Sequence, residues 1–283
     1  MAVSAARIAT RRASNAVFVA FCYLVTAVAL TALAAILWSL LSQGLGGIDL
    51  AVFTKSTPAP GSSGGLANAI VGSIMLCLLG MAIALIVGIL AGTWLAEYAG
   101  QSRYGSTVRF LNDVLLSAPS ILIGLFVYEL LVAPFGGFSG FAGGVALALL
   151  AAPVITRTTE DVLKLQPTSL RESGVALGTP LWGVIRTVLW RSAGSGILTG
   201  ALLAFARISG ETAPLLFTAL NNQFFSLDMR KPMANLPVVI FQFALSAYDD
   251  WRRLAWAGAL IIAASVLAIT IVARILSQEQ KRS

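Results

Sequence analysis

The sequence predicts an all-α polytopic membrane protein with six transmembrane helices, and three observations carry that prediction. Hydrophobic residues make up 58% of the 283-residue chain and charged residues 11%, with a mean hydropathy of +0.87. A soluble domain is about one-quarter charged, so this balance belongs in lipid. The apolar residues also gather into six stretches divided by short polar or Gly- and Pro-rich segments. Finally, with the N-terminus placed inside, 13 of the 19 Lys and Arg residues fall on inner segments and 5 on outer ones. That asymmetry sets both termini in the cytoplasm, and it accounts for the net charge of +7 without any nucleic acid partner.

Arg7, Arg11 and Arg12 precede an uncharged stretch, Ala13 to Ile48, with an apolar heart from Ala16 to Leu41. This exceeds the apolar region of a signal peptide, about 7–15 residues, so it reads as a retained first span. A Gly-, Ser- and Pro-rich outer loop closes this first part, residues 1–65. The second span covers Leu66 to Ala96, with Gly72, Gly80, Gly88 and Gly92 at intervals of eight and four. Either these glycines form a stripe for close helix contact, or they reflect the tolerance of membrane helices for glycine.

Glu97 to Arg109 makes an inner loop, and the third span runs from Phe110 to Val132 with Asp113, Pro119 and Glu129 inside it. The fourth span covers Phe141 to Thr156. Arg157, Glu160, Asp161 and Lys164 then lead into a long inner loop, 157–191. Ser192 to Leu220 forms the fifth span. Asn221 to Arg253 lies outside, with an apolar piece, Met233 to Ala247, too short to cross and therefore external or re-entrant. Leu254 to Leu276 is the sixth span and 277–283 a cytoplasmic tail. Residues 66–276 thus form the transmembrane unit.

The inner loop is patterned. Leu170 to Leu177 fits two helical turns, ended by Gly178 in a left-handed conformation. Thr179 is placed to cap the next helix, with Pro180 at its first position. Val184, Ile185, Val188 and Leu189 recur on one face of that helix. The result is a helical hairpin on the cytoplasmic face, suited to docking.

Within the fifth span, Arg207 is the group with most chemical content. A charge at mid-membrane costs about 2.5–3.5 kcal/mol, so it should face water or a partner. Glu211 stands four residues on, on the same face of a continuous helix. The pair is either structural or part of a path for an anion, since guanidinium suits tetrahedral oxyanions and stays charged. Arg157 is a second candidate on that path, or a plain inner-face anchor. Asp113 and Glu129 are possible partners of these arginines.

No histidine is present, and Cys22 and Cys77 lie in apolar runs, which disfavours a metal site, a disulfide framework or a Cys–His nucleophile. None of the four lysines follows a glycine, so no phosphate-binding Gly-Lys-Ser/Thr loop exists here.

The hairpin resembles the EAA loop of ABC importer permeases. Glu172, Ser173 and Gly174 stand at its first three positions, Gly178 at its glycine, and Val188 at the hydrophobic position ten residues later. Small residues replace both alanines, and Trp190-Arg191 replaces the closing Leu-Pro. ARISGETAPLLFTALNNQFFSLDM (206–229), PMANLPVVIFQFALSAYDDWRRLAWAGAL (232–260), GGLANAIVGSIML (64–76) and APSILIGLFVY (118–128) resemble the PstA-type permeases of phosphate ABC importers. The likeness extends from Gly64 to Leu276.

It implies a MetI-like permease core preceded by one extra helix, importing inorganic phosphate by alternating access and coupled to its ATPase through the hairpin. The partners implied are a PstC-type permease, two PstB-type ATPase subunits and a PstS-type phosphate-binding protein. ATP and Mg are then used by the ATPase, with no cofactor held by this chain. A permease for sulfate or molybdate could use the same arginine. An intramembrane lipid-modifying enzyme would need clustered Asp, His or Ser at one interface, and the scattered carboxylates argue against it.

Overall fold

The computed structural model describes residues 5–279, with the side chains of residues 5–10, 273 and 276–279 left aside. Residues 280–283 of the expected tail, like 1–4, lie outside the described residues. The described chain is all helix and loop: α1 (Ala5–Leu45), α2 (Leu50–Thr54), α3 (Ala67–Glu97), α4 (Arg103–Ser117), α5 (Ser120–Val127), α6 (Gly140–Lys164), α7 (Thr168–Ala176), α8 (Leu181–Val184), α9 (Trp190–Ser209), α10 (Ala213–Leu216), α11 (Leu236–Ala244) and α12 (Asp249–Glu279). Among the described residues, five helices are long and apolar enough to cross a membrane, and the bent pair α4 and α5 makes a sixth.

The central pair is α3 and α6, and the four glycines expected as a stripe explain how closely α3 is approached. A methyl group at Gly80 would sit 2.9 Å from Leu147 Cβ, and at Gly88 2.7 Å from Ile155 Cβ. At Gly92 it would come within 2.6 Å of Thr156 O, all on α6, while at Gly72 it would overlap Ala234 O at 1.9 Å. The stripe is therefore a contact surface, built for α6 along most of its length and for the 232–235 segment at its outer end.

Helix α9 packs along the inner half of α6 in the opposite direction, with Gly196 against Val162 and Gly200 against Thr158. Its last turns bring Ala204 and Ile208 into one buried cluster with Leu147, Leu150, Ala151 and Ile155. The end of α9 is thus level with the middle of α6. By contrast, α1 touches little except the outer end of α12, where Gly44 meets Leu260 and Arg253 donates to Gly46 O at 2.9 Å.

Several expectations need correction. The third span is not one helix, because Ala118 and Pro119 are extended and α5 leaves α4 at 106°. Proline drives its predecessor out of the helical region, which breaks the span there. The fifth span ends at Ser209 rather than running to Leu220: Gly210 to Thr212 are non-helical and α10 is only four residues long. Arg157, Glu160, Asp161 and Lys164 are not loop residues, since they form the last two turns of α6.

Candidate coupling hairpin and substrate path

The hairpin forms largely as its residues dictate. Gly178 is left-handed at φ 81°, and its N–H donates to Val175 O at 2.9 Å. Gly174 touches α8 so closely that a Cβ would lie 2.6 Å from Val184 Cγ2. This explains why a small residue stands at that position. Val184, Ile185 and Leu189 are buried and Val188 partly so, as the periodicity requires. The expected cap is absent: Pro180 occupies the N-cap position, and the Thr179 N–H instead donates to Gly174 O at 3.2 Å. A one-turn π-helical segment, Ile185–Leu189, joins α8 to α9, so with Trp190-Arg191 in place of Leu-Pro the hairpin runs into its span without a break.

The other side of the hairpin is open. Glu172 and Ser173 are exposed, and so are Val175, Leu177 and Trp182, with Leu177 86% exposed. Large apolar side chains left exposed beside a carboxylate make a surface suited to a protein partner. Gly178→Val should strain the left-handed turn by more than about 1–2 kcal/mol, because Val is β-branched. The expected result is normal membrane insertion with loss of the ATPase subunit on co-purification. Full recovery of ATPase with the variant would remove Gly178 from the docking surface.

Three ion clusters stand at the ends of the spans nearest the hairpin, and only the pairs four residues apart in the first two were legible in the sequence. Arg157 bonds Asp161 at 3.2 Å and lies 3.7 Å from Asp113. One of the two possible carboxylate partners thus meets an arginine, while among the described residues Glu129 meets none. Glu160 is buried, at 2% exposure, and accepts from Arg109 Nε at 2.6 Å and Lys164 Nζ at 2.5 Å. Arg109 also donates to Leu95 O and Gly100 O. The third cluster joins the hairpin to the spans: Arg171 on α7 grips Glu97 at the end of α3 through two bonds, of 2.6 and 2.8 Å. The Glu97 hydrogen bond holds the Arg171 guanidinium above its ordinary range. A raised cation pKa contributes stability that is fully present below the unfolded value and is lost only as pH rises through the folded one, so the guanidinium stays charged at any physiological pH.

Arg207 occupies the last turn of α9, half-buried and level with the middle of α6. The expected helix geometry does not hold. Glu211 falls beyond the helix end, so the two do not share a helix face, and no ion pair joins them. Among the described residues, no carboxylate lies within 4.0 Å of Arg207 or basic group within 4.0 Å of Glu211. A helix that stops at mid-depth presents free carbonyls there, and a cation in its last turn is favoured by their partial negative charge. Broken helices at the midplane are where transporters commonly hold their ligands.

Residues 84–282 match the family described as the binding-protein-dependent transport system inner membrane component. The phosphate transport system permease protein PstA of Haemophilus influenzae is 51% identical over 271 residues, covering 96% of each chain. The chain belongs to the PstA-type permeases. A second such permease, from Yersinia pestis, is 54% identical over 247 residues, covering 87% of this chain and 84% of the other. Among solved structures, the inward-facing MetNI methionine ABC transporter aligns with a TM-score of 0.62 at 19% identity, over 75% of this chain and 96% of that one. That likeness establishes the MetI-like fold.

A PstA-type permease is a transport subunit and not a catalyst, and ATP is hydrolysed by a partner. The hairpin has an open face, Arg171 ties it to the end of α3, and among the described residues Arg207 has no carboxylate within 4.0 Å. Arg157, by contrast, has two carboxylates within that distance.

Proposed function

We propose that this chain is the permease subunit of an ATP-driven importer of inorganic phosphate. Its place is the cytoplasmic membrane of a bacterium, with both termini inside. A PstC-type permease completes the path, two PstB-type ATPases use ATP and Mg below the hairpin, and a PstS-type protein delivers phosphate from outside. The single observation that carries the reading is Arg207, a permanent cation at a helix break level with the middle of α6, with no carboxylate within 4.0 Å among the described residues. A phosphate oxyanion, bound through the planar donor fork, supplies the missing charge as alternating access exposes the site to each side. Glu211, also unpaired, stands near enough in sequence to accept from a protonated phosphate oxygen or to line the water around it.

The relatives named for phosphate transport support the same substrate. The test is uptake of labelled phosphate by the reconstituted complex in the presence of excess sulfate or molybdate. Uptake should persist nearly unchanged. Strong inhibition by either anion would replace the phosphate assignment with a general oxyanion permease.

A further inference from the structure

We propose that Arg171 and Glu97 form the link through which movement of the coupling hairpin reaches the spans. The inference rests on the importer reading above and names the residues by which the hairpin acts. Arg171 uses all five of its guanidinium N–H donors. Nε and Nη2 hold the two oxygens of Glu97 at 2.8 and 2.6 Å. Nη2 also reaches Leu163 O at 2.8 Å, and Nη1 reaches Gln166 O at 2.9 Å and Pro167 O at 3.5 Å. One side chain on α7 therefore closes on the last residue of α3, on the last turn of α6 at Leu163, and on the link at Gln166 and Pro167. The Leu163 carbonyl lies in the last turn of α6, where the helix carries its partial negative charge.

Little else joins α7 to α3. No residue of α7 is buried, and the hairpin's buried face, Val184, Ile185 and Leu189, belongs to the segment after the turn. Leu170 alone from α7 reaches the apolar cluster formed by Leu163, Ile185, Leu189 and Ala193. Force applied to the exposed side of α7, at Glu172, Ser173 and Leu177, thus passes to α3 through a bidentate ion pair whose carboxylate is only 3% exposed. A planar fork of this kind fixes direction as well as distance, so α7, the end of α3 and the end of α6 move as one body. Helix α3 carries that motion outward along the glycine-lined contact with α6, to the segment around Ala234. Arg171 and Glu97 are accordingly positioning residues: they touch neither nucleotide nor phosphate.

Lysine at 171 keeps the charge and loses the fork, and Glu97→Gln keeps the shape and loses the charge. In the full complex, each should leave assembly and ATP hydrolysis largely intact, while the ATP consumed per phosphate imported rises at least about ten-fold. A second readout needs no substrate. With Cys22 and Cys77 replaced, spin labels at Ser169→Cys on α7 and Gln101→Cys beside the end of α3 report whether the two move together. Their separation should stay constant between nucleotide-free and vanadate-trapped states in the otherwise native chain. In Arg171→Lys it should change by more than about 2 Å.

An unchanged ATP-to-phosphate ratio in both variants overturns the link, and so does a label separation indifferent to Arg171→Lys. Failure of both variants to assemble would assign the pair to folding and overturns it equally. If the native complex hydrolysed ATP but carried no phosphate, the substrate reading would fall while the label separation still decided the link.

Discussion

Arg207→Gln is expected to cut phosphate uptake by a fully assembled complex severely, whatever residue occupies position 211. A charge-assisted contact to an anion is worth about 1.5–3 kcal/mol, so the loss should be roughly 10- to 150-fold in transport at limiting substrate. The structure sharpens the design of this test. In a helical ion pair the single change would strand a carboxylate, but Glu211 lies outside the helix and is not within 4.0 Å of Arg207. Neutralising Arg207 therefore leaves no broken pair in this conformation. The Arg207→Gln, Glu211→Gln double variant covers any conformation in which they do meet. Lysine keeps the charge at the end of α9 and its favourable interaction with the helix carbonyls, but not the planar fork, so partial uptake is expected. Near-normal uptake by the assembled double variant would reduce Arg207 to a helix-end cation. The amount of assembled complex must be measured alongside, because a missing subunit would give the same loss.

That geometry was only half legible in the sequence. Composition shows where apolar backbone runs, and α3 was placed within a residue at each end, whereas the helices α1, α6 and α12 extend past their apolar runs, to Ala5, Lys164 and Asp249. It does not show where such backbone stops being helical. From Ser192 to Leu220 the residues stay mostly apolar, and the chain reads as one span, yet α9 ends at Ser209. The breaking signals were present as Gly210 and Pro214, but hydropathy passes over them. Non-helical backbone at membrane depth is tolerated when buried in protein, so it is apolar too. Here Pro214 and Leu215 are buried, and Gly124 of α5 lies against Pro214. Pro119 in the third span repeats the lesson with a sharper bend.

The ion clusters divide along the same line. Glu160 with Lys164, and Arg157 with Asp161, sit four residues apart on one helix, so their pairing follows from helical spacing alone. Arg109 with Glu160, and Glu97 with Arg171, join residues 51 and 74 positions apart. Those pairs depend on how α3, α4, α6 and α7 meet, which no local pattern encodes. The docking surface is a middle case. Gly174 and Gly178 were marked by motif and turn chemistry, whereas the exposure of Leu177 and Trp182 emerges only once the other face of the hairpin is filled.

The most destabilising single change expected at the inner face is Glu160→Ala. The carboxylate is buried and holds Arg109, which itself ties down the carbonyls of Leu95 and Gly100 at the end of α3. Removing it leaves a guanidinium, 21% exposed, beside a cavity with no counter-charge. Breaking a buried pair from one side costs about 3–5 kcal/mol, far more than the intact pair contributes. The Lys164 arm adds little, since that ammonium is 49% exposed and screened by water. The purified complex should therefore melt well below the native one, and α4 should become protease-sensitive first because Arg109 anchors it to α6. Glu160→Gln keeps an acceptor for Arg109 and should fall between the two. An apolar replacement of the whole cluster, Arg109→Met with Glu160→Leu and Lys164→Met, should recover much of the loss, because no charge is then left buried alone. A Glu160→Ala complex that melts with the native one would mean that water already compensates this carboxylate, and that α4 is held to α6 by Asn112, whose amide reaches Pro153 O at 3.3 Å, and by apolar contact.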